Sequence, residues 1–200
     1  METFATYFLV FIIYSFAGWC LETLKQSLQN HRFINRGFLI GPCCPIYGFS
    51  VLAITFLLEQ YRPDPVATFF LAIVIIGIIE YLTSLLLEKV FHARWWNYNK
   101  KPFNINGRIC LRNLLYFGIL SLGVIYVFNP LLFDFIQNLN NAKIWISIIT
   151  AIIFIIDVAI SVPILISARR KDHNLNHDNT EEMSNKVRQT LKRHSRKITK

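Results

Sequence analysis

Three carboxylates stand inside stretches of sequence that are otherwise almost wholly apolar: Glu22, Glu80 and Asp157. An ionisable side chain in hydrocarbon costs roughly 2.5 to 3.5 kcal/mol on insertion scales, so each calls for a partner or a purpose. Glu80 is the sharpest case. Ser84 and Glu88 follow it at four-residue intervals, with Thr83 beside them, which on a helix makes one polar stripe. His92 extends the stripe by a turn if the helix runs on. Candidate counter-charges recur nearby: Arg36, Arg108 and Arg112, with Asn104, Asn106 and Asn113 among them. Two chemistries use this set. The arginines recognise an anionic group, with Glu80 as proton carrier or counter-ion. Alternatively Glu80 and Glu88 serve as acid and base on a lipid or lipid-linked substrate whose phosphate the arginines hold. A non-catalytic scaffold, in which these charges only pair with one another, is a third reading. The candidate ligand-binding set is Glu22, Arg36, Glu80, Ser84, Glu88, Asn104, Arg108 and Arg112. Glu22, three residues before Lys25, has an equal claim to be an interfacial anchor. Asp157 is either protonated or turned into the bundle toward a partner that the sequence does not name.

Other chemistries find little support. Cys20, Cys43, Cys44 and Cys110 all fall toward the side expected to be cytoplasmic, a reducing compartment in which disulfides are rare. They include no CxxC pair, and small buried cysteines are commonly packing residues. No Walker A, nucleophile-elbow, HExxH or dinucleotide fingerprint occurs. Neither cofactor nor metal is expected.

The elements that position these residues are membrane spans. The chain of 200 residues is 54% hydrophobic and 14% aromatic, with a mean hydropathy of +0.39, too apolar for an ordinary soluble domain. Its formal net charge of +9 sits mostly in the last thirty or so residues and two loops, which argues against nucleic acid as a partner. A bilayer core needs about 20 helical residues. Phe4 to Leu24, Pro65 to Leu87, Cys110 to Leu132 and Ile144 to Ala168 satisfy that length. A fifth run, Pro45 to Leu58, reaches only about 21 Å at 1.5 Å per residue. Gly37 to Cys44, with Gly41 and Pro42, must then supply the missing depth as a buried, partly unwound entry; an interfacial loop before a short tilted helix is the equal alternative. No basic stretch precedes the first apolar run, which is therefore expected to stay in the protein.

Basic residues mark cytoplasmic loops. Lys25, Arg32 and Arg36 fall in the first loop, and Lys89, Arg94, Lys100, Lys101, Arg108 and Arg112 in or beside the third, against Arg62 and Lys143 in the other two. With five spans the counts agree on an outside N-terminus and a cytoplasmic C-terminus. Trp95, Trp96 and Tyr98 read as an aromatic interface belt, with a lid over the polar residues as the minority view. The expected organisation is an all-α transmembrane bundle over residues 1–168 and a basic cytoplasmic tail over 169–200. In that tail Thr180, Glu181, Met183, Val187 and Leu191 fit an amphipathic surface helix, with a solvated basic tail that only enforces topology as the equal alternative.

Four blocks carry a resemblance: GWCLET from Gly18, RFINRGFLIGPCCPIYG from Arg32, EYLTSLLLEK from Glu80 and WWNYNKKPFNINGRICL from Trp95. In their order they resemble bacterial membrane proteins known as ABC-transporter type IV, or CmpB-like, permeases, over roughly residues 7 to 120. The family pattern falls on Glu22, Arg36, Gly37, Pro42, Glu80, Glu88, Trp96, Tyr98, Asn104, Gly107 and Arg108. Asn97 departs from it, since members often carry Asp there, and an acid-base role at that position is in doubt here. The resemblance implies a multi-pass protein of the bacterial plasma membrane with a transport role. It also implies membrane lipids around it, a separate ATPase subunit as partner and an unidentified small molecule or lipid as ligand. On this reading the protein is a permease or ligand-binding component rather than an enzyme.

Overall fold

The computed structural model describes residues 1–31, 33, 35, 37, 39–91 and 94–171. Arg32, Arg36, His92 and the expected tail helix lie outside them.

Helix α1 spans Glu2–Asn30 and closes on His31 in the left-handed conformation. Helix α2, Pro45–Leu57, has proline in its first turn, where the missing N–H costs no helical bond. Helix α3, Pro65–Phe91, starts the same way, and the Asp64 carboxylate accepts the Val66 and Ala67 N–H groups at 2.9 and 3.1 Å. A hairpin follows, β1 Asn104–Ile105 against β2 Ile109–Cys110, antiparallel. Helix α4, Leu111–Gly123, runs through a π-helical turn, Val124–Phe128, into α5, Asn129–Asn138. Pro130 has no N–H to give the previous turn, which accounts for the wider turn before it. Helix α6 is Ala142–Lys171.

Four stretches are long and apolar enough to cross a membrane: Glu2–Leu28, Pro65–Phe91, Leu111–Asn138 and Ala142–Ile166. The fifth apolar helix, α2, has 13 residues and falls short, as its sequence length implies. The fourth span runs six residues beyond the expected Leu132 because α5 continues it to Asn138.

The spans wear their polarity inward. Along α3, Phe70, Val74, Ile78, Leu82 and Leu86 are exposed at four-residue spacing, while Thr68, Ala72, Ile76, Glu80 and Ser84 are buried. In water such a helix would be inverted; in lipid the exposed apolar stripe is the solvated one. Helices α1 and α2 approach closely because two glycines leave room. A side chain at Gly18 would collide with the Tyr47 ring, and one at Gly48 with Ser15 and Phe11. One turn from Gly18 the Tyr14 hydroxyl donates to Asn129, whose amide donates to Thr55, each at 2.8 Å.

The chain before α2 is non-helical and is held by two neighbours. The Ile40 and Gly41 N–H groups donate to the two oxygens of Asp157 at 3.1 and 3.0 Å, and Cys44 N–H donates to the Ser15 carbonyl at 2.9 Å. Ser161, one turn beyond Asp157, donates to that carboxylate at 2.9 Å. Both Asp157 and Ser15 lie about halfway along their helices, so the unwound segment reaches the middle of the bundle. The described residues from Gly37 to Cys44 are non-helical and tied to α1 and α6. The partners of Asp157 are two backbone N–H groups and the Ser161 hydroxyl, none of which a charge count can identify.

Replacing Asp157 by Ala leaves the half-buried Gly41 N–H without its acceptor, while the Ile40 N–H keeps Ser161 Oγ at 3.0 Å, at a cost of about 1 to 3 kcal/mol. The expected result is a lower melting temperature in detergent for Asp157→Ala and a smaller drop for Asp157→Asn, which keeps one acceptor. Equal melting of Asp157→Ala and wild type would remove this anchor from the account.

Candidate functional site

Helix α3 presents Glu80, Ser84 and Glu88 on its inward face. Glu80 and Ser84 are 5% and 3% exposed, deep in the bundle. What covers them is the chain between α3 and α4, which folds back instead of lying flat.

The return depends on the hairpin turn. Asn106 and Gly107 both have positive φ, and the space a Gly107 side chain would need is filled by Asn99 and Asn97. The Asn104 side chain accepts the Gly107 N–H at 3.0 Å, so Asn104 shapes the turn. The turn aims Arg108 at α3. Its guanidinium, on a residue 7% exposed, donates to Ser84 Oγ at 3.0 Å and pairs with Glu88, while its face lies over the Tyr81 ring. Arg94 reaches the same Glu88 oxygen at 3.1 Å and the Asn106 carbonyl at 3.2 Å. Two guanidiniums therefore close on one carboxylate. The Glu88 side chain is 34% exposed, so solvent screens part of that attraction, and the buried Arg108 contacts matter most.

The same return brings in the aromatic residues. The Trp96 indole donates to the Arg108 carbonyl at 2.8 Å, Tyr98 N–H to the Gly107 carbonyl at 2.7 Å, and the Tyr98 hydroxyl to Glu80 Oε1 at 3.2 Å. Trp95 is buried against Phe91 and Leu165. Interface anchoring, the favoured sequence reading of this aromatic run, is corrected here: the run folds over the polar stripe, because Glu80 and the Arg108 carbonyl offer acceptors.

Across from it, Glu22 accepts the Tyr47 hydroxyl at 2.7 Å. Burial, then the nearby Glu80 and Glu22 carboxylates, hold the Tyr98 phenol well above its ordinary ionisation range, and Asn113 also bonds it. Two carboxylates and two phenols thus face one another between α1, α2, α3 and the loop. The second Glu80 oxygen is buried with no hydrogen-bond partner among the described residues.

The candidate residues therefore separate. Glu80 and Glu22 join a carboxylate-phenol group; Ser84, Glu88 and Arg108 form an adjoining ion-pair group; Asn104 supports the turn. Arg36 lies outside the described residues. Arg112 points away, its guanidinium over the Tyr116 ring on an exposed face of α4, because the first turn of α4 directs it outward. The expected pairing of Glu80 with a guanidinium is replaced, among the described residues, by a phenol. Sequence reasoning missed Tyr47 as the Glu22 partner and Arg94 as the second Glu88 partner. Gly18, one turn before Glu22, was a signal for the first, since a residue without a side chain there makes room for a ring. Nothing local distinguishes Arg94 from the other basic loop residues. The four cysteines carry thiols and not disulfides, and among the described residues no group of His, Cys, Asp and Glu is placed to hold a metal ion.

Long apolar helices with inward polar faces and a buried carboxylate-phenol group define a helical membrane protein. The family model described as "Putative ABC-transporter type IV" matches residues 9–162, and the chain belongs to that family. The match runs past the hairpin to take in the Asp157 and Ser161 anchor. No curated protein and no solved structure matches the chain.

Two outcomes follow from this geometry. Arg108→Ala lowers stability by about 1.5 to 3 kcal/mol, the range for hydrogen bonds to charged groups. Arg94→Ala costs less, since its side chain is 21% exposed; equal losses in paired thermal melts would contradict the ranking. Tyr98, with its raised phenol, adds stability that is fully present below about pH 10 and is lost as pH climbs toward the folded-state value. Tyr98→Phe is therefore expected to flatten the alkaline limb of a stability-pH curve, and an unchanged limb would count against it.

Proposed function

We propose that this protein is the membrane component of a permease, multi-pass in the bacterial plasma membrane, with its N-terminus outside and Glu80 as the residue that binds ligand or carries a proton. The observation that carries this reading is the second oxygen of Glu80, buried with no hydrogen-bond partner among the described residues. A carboxylate at that depth is expensive unless a proton, an ion or a ligand group occupies it, and the Tyr98 bond uses only the other oxygen. The basic residues of the first and third loops and of the 169–200 tail support placing this site toward the cytoplasm. Family membership favours a separate ATPase subunit as the energy source over any catalytic role for the bundle itself.

An acid-base enzyme reading asks for Glu88 as a free base. Glu88 is instead engaged by Arg94 and Arg108, which weakens that reading.

The test compares purified wild type with Glu80→Gln, identifying co-purified small molecules and lipids by mass spectrometry. The variant is expected to lose the specific molecule by about tenfold, the effect of one charge-assisted hydrogen bond, and to keep its melting temperature within a few degrees. The same molecules in the same amounts from both preparations, with the physiological role intact, would sink the proposal.

A further inference from the structure

The start of α4 carries a feature that the Glu80 site does not use. The Leu111 N–H donates to the Phe103 carbonyl at 3.1 Å, which holds the loop at Pro102 and Phe103 against the first turns of the helix. Between them runs a furrow of about 360 Å³. Pro102 and Phe103 form one wall; Leu111, Leu115 and Ile119, at four-residue spacing, form the other. All of these side chains face outward, Phe103 being 80% exposed and Ile119 61%, so the furrow opens to the surroundings of the bundle and not to its centre.

At this furrow sits Arg112. Its guanidinium lies 5.7 Å from the Tyr116 ring centroid, and among the described residues no carboxylate pairs with it. That sets it apart from Arg94 and Arg108, both bound to Glu88. Lys100 and Lys101, exposed, directly precede the Pro102 wall. An apolar slot ending in positive charge that nothing in the described protein neutralises is complementary to one class of molecule: an acyl chain with a phosphate at its head. Guanidinium matches phosphate oxygens by geometry as well as by charge. The position agrees, because the basic third loop marks the level at which head groups of the anionic leaflet lie.

We propose that this furrow is a binding site for an anionic phospholipid, with the phosphate on Arg112 and one acyl chain along Leu111, Leu115 and Ile119. The site is independent of the Glu80 reading, and neither stands or falls with the other.

The experiment uses the full chain, delipidated in a zwitterionic detergent, and measures lipid binding by native mass spectrometry with phosphatidylglycerol, phosphatidylcholine and soluble glycerol phosphate. Wild type is expected to prefer phosphatidylglycerol over phosphatidylcholine by about fivefold, the effect of one basic residue near an anionic surface. Arg112→Gln removes that preference but still binds acyl chains. Leu115→Trp, which fills the furrow, lowers binding of both lipids. Arg62→Gln, in the loop before α3, keeps the wild-type preference. Because all three substitutions are on exposed surface, unchanged melting temperatures are the check on folding. Retained preference in Arg112→Gln, an equal loss in Arg62→Gln, or binding of glycerol phosphate as strong as that of the lipid would overturn the proposal.

Discussion

A backbone N–H in hydrocarbon has no water to bond, and an unsatisfied one costs several kcal/mol. That constraint shapes the chain before α2, where Gly41, Pro42 and Pro45 prevent a regular helix from supplying acceptors. The Asp157 carboxylate, Ser161 and the Ser15 carbonyl supply them instead. Helices α1 and α6 are thereby tied to one unwound strand, and α2 can begin halfway through the bundle and remain only 13 residues long. The close seat of α2 on α1, with Gly18 under Tyr47, then brings the Tyr47 hydroxyl to Glu22.

The second half of the site obeys the same rule from the other direction. Arg108 is buried, and a buried guanidinium needs both a counter-charge and hydrogen-bond acceptors. Glu88 and Ser84 provide them one turn apart on α3, so the loop that carries Arg108 must fold onto that face. Once it does, Trp96 and Tyr98 are delivered inward, and Glu80 acquires a phenol. Stabilising the loop and assembling the site are one event. Among the described carboxylates of this site, the arrangement leaves the second Glu80 oxygen buried without a hydrogen-bond partner.

The π-helical turn between α4 and α5 illustrates how a local defect is absorbed. Pro130 disrupts the regular ladder, yet Asn129 beside it is 6% exposed and bonded to Tyr14 and Thr55. A residue freed from ordinary helical geometry ties α1, α2 and α5 together.

Much of this was legible beforehand. Hydropathy and length alone identify four spanning helices, because in lipid the backbone must bond within each segment and a span has a fixed minimum length; where a fifth span is expected from the sequence, the helix formed has 13 residues. The four-residue spacing of Glu80, Ser84 and Glu88 likewise determines that they share a face. Which partner each meets was a tertiary decision. Arg108 and Arg112 are both arginines near the start of α4, yet the Gly107 turn sends one inward and the helix sends the other out to the furrow. Asp157 pairs with backbone, whose donors are invisible in a list of residue types, and Trp96 and Tyr98 look like interface anchors until a loop closes over acceptors. Periodicity is local and survives in the sequence; the choice among chemically equivalent partners depends on chain reversals that only the folded bundle sets.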